Sequence, residues 1–90
     1  MLYMLIERFK NGDALPVYRR FRDEGRLAPE ELNYISSWVD ADLKVCYQVM
    51  ATTDRALLDQ WLERWQDLVE FEVVPVITSA EAKERISAKL

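Results

Sequence analysis

Residues 54–68 read DRALLDQWLERWQDL, and this stretch decides the fold. Leu57, Leu58, Trp61, Leu62, Trp65 and Leu68 recur at the spacing of one helix face, while Arg55, Asp59, Glu63, Arg64, Gln66 and Asp67 take the other. Two tryptophans four residues apart make one broad apolar ridge, too large to leave in water. A flat surface must cover it. Both flanking segments, KVCYQVMATT (44–53) and VEFEVVPVIT (69–78), read as strands.

Working outward, LYMLIERF (2–9) is short, apolar and bounded by Asn11-Gly12-Asp13, so it reads as a buried strand. Asp13 can cap a helix whose first turn tolerates Pro16, with Val17, Tyr18 and Phe21 as its stripe and Gly25 at its end. LNYISSWVD (32–40) reads as a second strand, joined through Asp40-Ala41-Asp42 to the third as an antiparallel hairpin. Thr53 or Asp54 caps the tryptophan helix. Pro75 cannot donate a ladder hydrogen bond, which sends the fourth strand to a sheet edge. Thr78-Ser79-Ala80-Glu81 has the form of a capping box and opens a short terminal helix, AEAKERISAKL (80–90).

The order βαββαβ plus a terminal helix predicts an α+β, ferredoxin-like subunit with strand order 4-1-3-2, formed by residues 1–90 as a single domain. Half of the 90 residues are hydrophobic and only two are glycine, so a packed core is expected. A core this small favours a partner subunit.

Composition also excludes function classes. The 12 basic side chains are scattered among 16 acidic ones for a net charge of −4, which argues against nucleic acid as a partner. No stretch approaches the roughly 20 apolar residues of a membrane span, and Met1–Ile6 lacks the basic flank of a signal peptide. Cys46 is the only cysteine, which suits a reducing, cytoplasmic setting. There is no histidine. That argues against zinc sites of ordinary ligand type, His-ligated haem and Ser-His triads, and the expectation is that no cofactor or metal is required.

Both main helices should cover one sheet face. Assigning them Met4, Ile6, Ile35, Val39, Val45, Tyr47, Val49, Phe71 and Val73 leaves a second face with Tyr3, Leu5, Glu7, Phe9, Tyr34, Ser36, Trp38, Cys46, Gln48, Met50, Glu72 and Val74. That second face is too apolar for water and too polar for an ordinary core. A second copy packed against it, enclosing a partly polar lumen, would explain both properties. The expectation is a homodimer built as a dimeric α/β barrel.

The runs MLYMLIERFKNGDALPVYRRF (1–21), GRLAPEELNYISSWV (25–39), CYQVMATTD (46–54) and DQWLERWQDLVEFEVVPVITSAEA (59–82) carry a resemblance. With Phe9, Tyr18, Trp38, Trp61, Trp65 and Phe71 as landmarks, the chain resembles a family of short bacterial proteins of unknown function. That family is similar in fold to the dimeric α/β-barrel superfamily, which includes antibiotic-biosynthesis monooxygenases and muconolactone isomerase. The resemblance implies fold and dimerisation and carries no assigned activity. The missing histidine departs from superfamily members that use haem or a catalytic histidine.

Candidate site residues follow from the second face. Glu7 and Glu72 are a candidate carboxylate pair, with Glu7, on the central strand, the better general base; the alternative is that they reach solvent or pair with arginine. Cys46 beside Gln48 can be read as a reactive thiol or, with no cation or helix N-terminus at hand, as a small buried apolar residue. Gln48 must find a hydrogen-bond partner, which a ligand, a water or a twin subunit can provide. Tyr3, Tyr34 and Trp38, with Ser36, form either an aromatic wall for a planar ligand or interface packing. Trp61 and Trp65 are assigned to the core, and Arg26, just after the helix C-cap, to solvent by default, with guarding a pocket mouth or binding an anion as the alternative. Two functions remain open: a binding or structural module whose lumen orders the dimer, or a cofactor-free enzyme, monooxygenase- or isomerase-like, with Glu7 as base.

Overall fold

The computed structural model describes residues 1–90. Its elements are β1 (Leu2–Phe9), a short 3-10 turn at Lys10–Gly12, α1 (Leu15–Glu24), β2 (Asn33–Val39), β3 (Val45–Ala51), α2 (Arg55–Glu63), β4 (Val69–Val76) and α3 (Ser79–Ser87). The four strands form one antiparallel sheet in the order β2-β3-β1-β4. Read from its other edge this is 4-1-3-2, the ferredoxin-like order, and Pro75 lies on edge strand β4.

Local chemistry accounts for the boundaries. The Asp13 carboxylate accepts from the amide of Leu15 at 3.0 Å, and Gly25, at φ 74°, ends α1 by donating its own amide to the Phe21 carbonyl at 2.8 Å. Asp54 caps α2 by accepting from Ala56 at 2.9 Å, and Thr78 caps α3 by accepting from Glu81 at 3.1 Å. At the β2–β3 turn the Asp40 carboxylate accepts from the amides of Lys44 and Val45 at 2.8 and 2.7 Å. The tryptophan helix is shorter than the periodicity suggests. Beyond Glu63 the backbone tightens into i→i−3 bonds from Arg64, Trp65 and Leu68, and the Arg20 side chain captures the Arg64 carbonyl at 2.8 Å.

Side chains from α1 and α2 lie against one sheet face, and the core there comprises Tyr3, Leu5, Leu32, Met50, Leu58, Trp61 and Trp65, with Phe71 and Val73 packed against it. Leu5, Met50 and Leu58 are fully buried, so truncating any of them to alanine should cost about 2–5 kcal/mol. The face assignment expected from sequence is therefore reversed for β1 and β3. Cross-strand partners share a face, and Glu7 pairs with Cys46 and Phe71, while Leu5 pairs with Gln48 and Val73. Tyr3, Leu5, Glu7, Phe9, Cys46, Gln48 and Met50 thus lie beneath the helices, not in a lumen between two sheets.

The open face carries Met4, Ile6, Val45, Tyr47, Val49, Ser36, Trp38, Glu72 and Val74. Trp38 is 61% exposed and Tyr47 40%. A register shift between Tyr34 and Ser36 switches parity in β2, so Tyr34, Ser37 and Val39 share the helix side while Ser36 and Trp38 do not. Helix α3 buries no residue. No helix is long and apolar enough to cross a membrane.

Candidate functional site

Between the sheet and the two covering helices lies a cavity of about 140 Å³. Its walls are mostly apolar, and the large ones are aromatic: Phe9 from the end of β1, Tyr18 and Phe21 from α1, Trp61 from α2 and Trp65 from the turn that follows. The polar groups are Glu7, Arg26, Ser37, Cys46 and Gln48. Alternation in β1 and β3 places Glu7, Cys46 and Gln48 there, because the helices cover that parity of the sheet.

Glu7 is only 8% exposed. Gln48 donates Nε2 to Glu7 Oε2 at 3.1 Å, and its Oε1 accepts from Arg26 Nη1 at 3.4 Å. The amide thus separates a carboxyl from a guanidinium in one row, with its donor and acceptor ends used in the only orientation that serves both neighbours. Glu7 Oε1 accepts nothing from the protein, and no fully buried polar side-chain atom is left without a partner, so this oxygen stays open to the cavity.

Burial pushes the Glu7 carboxyl up from 4.5 to about 7, against the opposing pull of Arg26. Both protonation states are then populated near neutral pH, as a proton-exchanging group requires. The Cys46 thiol is pushed up to about 12, first by burial and then by the charge of Glu7, with Arg26 opposing. It is a protonated wall residue at neutral pH rather than a nucleophile. Tyr18 is likewise raised by burial, then by Cys46 and Glu7.

Arg26 is held by its own backbone. Its carbonyl accepts the indole N–H of Trp61 at 2.8 Å and that of Trp65 at 3.0 Å, while Arg64 donates to the carbonyl of Leu27. The Arg26 guanidinium lies over the Tyr34 ring at 3.9 Å and the Phe21 ring at 5.4 Å. Tyr34 is steadied by a hydrogen bond between its hydroxyl and Ser37 Oγ at 2.8 Å.

Of the residues expected from sequence, Glu7, Cys46 and Gln48 converge on the cavity, and Tyr34 stands at its rim through Arg26. Tyr3 lies in the main core, under Arg55. Ser36, Trp38 and Glu72 sit on the opposite face, and Ser37 takes the position expected of Ser36. Glu7 and Glu72 form no pair: Glu72 is opposite Ile6 and bonds to Arg8 at 3.2 Å near solvent. The larger omissions are Tyr18, Phe21 and the tryptophan pair as walls. Their helical periodicity signals burial without saying what they enclose. No group of three or more acidic or thiol side chains converges as a metal site would require.

Residues 1–90 match a family described as a domain of unknown function (DUF3303). No curated protein and no solved structure matches the chain.

Proposed function

Because the chain belongs over its whole length to the family described as a domain of unknown function (DUF3303), we propose its function from its own geometry. The cavity beneath the helices is a cofactor-free small-molecule site in which Glu7 acts as general base on a planar ligand with a weakly acidic C–H or O–H. The carrying observation is the carboxyl oxygen of Glu7 left open to an aromatic cavity while its partner oxygen is held by Gln48. Apolar walls with a few convergent polar groups and a perturbed carboxyl are the usual marks of a ligand site. Calorimetric titration with small phenols and β-dicarbonyls tests this. Binding by the native chain, lost in Glu7→Gln, supports the site; equal binding by both removes Glu7 from it.

One observation favours a second reading. The cavity, about 140 Å³, is well below the roughly 300 Å³ usual for ligand pockets and admits about one aromatic ring. On this reading the Glu7–Gln48–Arg26 row only orders a binding or structural module. Fold stability, rather than ligand binding, would then respond to Glu7→Gln.

We also propose that the subunit forms a homodimer through its open sheet face, as in the dimeric α/β-barrel superfamily. The ferredoxin-like strand order supports this, as do the exposed Trp38, Tyr47 and Val74 on that face. The same chain also carries an unpacked helix, α3, leaving edge strand β4. A second copy would cover both surfaces at once. Light scattering on the eluting protein tests it, and a monomer at micromolar concentration overturns it.

A further inference from the structure

The arginines of this chain differ in how they are satisfied. Arg20 clamps both oxygens of Asp67, at 2.8 and 2.7 Å, as a structural arginine does. Arg26 has no carboxylate within 4.0 Å, and its one side-chain hydrogen bond is the 3.4 Å contact to Gln48. A guanidinium has five donors, so most of these have no protein acceptor. Its position is nevertheless well built. Two indoles hold its carbonyl, its guanidinium lies within 3.9 and 5.4 Å of two aromatic rings, and it lines the cavity that Glu7 opens into.

We propose that Arg26 is the oxyanion partner of this cavity, which makes the ligand class a planar enol or phenol whose oxygen rests on the guanidinium while its acidic hydrogen faces Glu7. This rests on the reading of Glu7 as proton acceptor. The ligand's C–H or O–H bond breaks, its proton joins Glu7 Oε1, and the bonding pair stays on the ligand, delocalised onto the oxygen that Arg26 holds. Return of the proton, to the same atom or to another in conjugation with it, completes a reversible ionisation or an isomerisation. No oxidant or second substrate is consumed. The charge count is unchanged, because one negative charge moves from Glu7 to the ligand oxygen within reach of the same cation. Preorganised donors aimed at developing charge stabilise it most effectively where water is excluded. Besides Arg26, the titratable groups facing Glu7 are Tyr18 from α1 and Cys46 from β3, and burial keeps both neutral at neutral pH.

4-Nitrophenol, a single-ring phenol whose phenolate is read by visible absorbance, tests the assignment with the full chain. The native protein should bind it with a higher phenolate-to-phenol ratio than free solution at the same pH. Arg26→Gln should still bind the phenol but lower the bound ratio at least about tenfold, and Arg26→Lys, which keeps charge without the planar fork, should lower it less. All three retain the backbone carbonyl that the indoles grip, and a circular-dichroism spectrum checks that each is folded. An unchanged ratio in Arg26→Gln overturns the assignment. Glu7→Gln, measured alongside, keeps the two ideas apart: if it loses binding while Arg26→Gln alters nothing, Glu7 remains the proton acceptor and Arg26 is only a wall. Absence of any spectral change with native protein, for nitrophenol and equally for acetylacetone, overturns both.

Discussion

Trp61 and Trp65 donate their indole N–H groups to one acceptor, the carbonyl of Arg26, at 2.8 and 3.0 Å. Their spacing of four residues puts both rings on one face, and the tightened turn after Glu63 keeps them together. The ridge that buries the helix therefore also fixes the arginine beside Glu7.

Loss of these bonds should be non-additive. Either Trp61→Phe or Trp65→Phe leaves the carbonyl one partner, so the hydrogen-bond part of each costs about 0.5–1.5 kcal/mol. The double variant leaves the carbonyl with neither indole and should exceed the sum of the two by about 1 kcal/mol or more. Urea denaturation of the three variants measures this, and strict additivity would count against a shared acceptor.

Glu7 should make the fold less stable as pH rises. Its folded value, about 7, lies above the unfolded value of 4.5, so between these the folded chain holds a proton that the unfolded chain has lost. The favourable contribution is full below 4.5, declines as pH rises to about 7, and is absent above. That span corresponds to about 3 kcal/mol. Glu7→Gln should remove the slope and match or exceed the native chain at about pH 8, as judged from urea midpoints. Parallel stability profiles for the two proteins would contradict the burial of this carboxyl.

Cys46 should be slow to modify. With its thiol pushed up to about 12 from 9.0, the thiolate fraction at a given pH falls by roughly three orders of magnitude relative to a free cysteine. A disulfide reagent at mild alkaline pH should label the native chain very slowly and the urea-unfolded chain at once. Fast labelling of folded protein would place the thiol outside the aromatic wall.

The open sheet face should respond to charge. Trp38→Glu puts an ionised group on the β2 side of that face without touching the cavity, since Trp38 and Glu7 lie on opposite sides of the sheet. The native chain should elute with about twice the 10.6 kDa of one subunit, and the variant near 10.6 kDa with its cavity ligands still bound. A mass unchanged by the substitution would move the interface elsewhere.

Periodicity and caps in the sequence were enough to determine the element order, the edge position of the proline-bearing strand and the sharing of one face by Cys46 and Gln48 within β3. Side-chain alternation is a local property of extended backbone, and it is preserved in any tertiary setting. Which face the helices cover was not legible, because both parities of β1 are apolar: Tyr3, Leu5 and Phe9 on one side, Met4 and Ile6 on the other. Only the cross-strand register, pairing Glu7 with Phe71 and Leu5 with Val73, joins the β1 face to the β4 face that the tryptophan helix buries. Arg26 was named in the sequence only as a candidate for a pocket mouth or an anion, and what fixes it there was not legible, for a similar reason. Its neighbours in sequence are a glycine and a leucine, and the groups that fix it, Trp61 and Trp65, lie 35 and 39 residues away. Those contacts exist only once the loop after α1 closes over α2, so packing rather than pattern decided where the site stands.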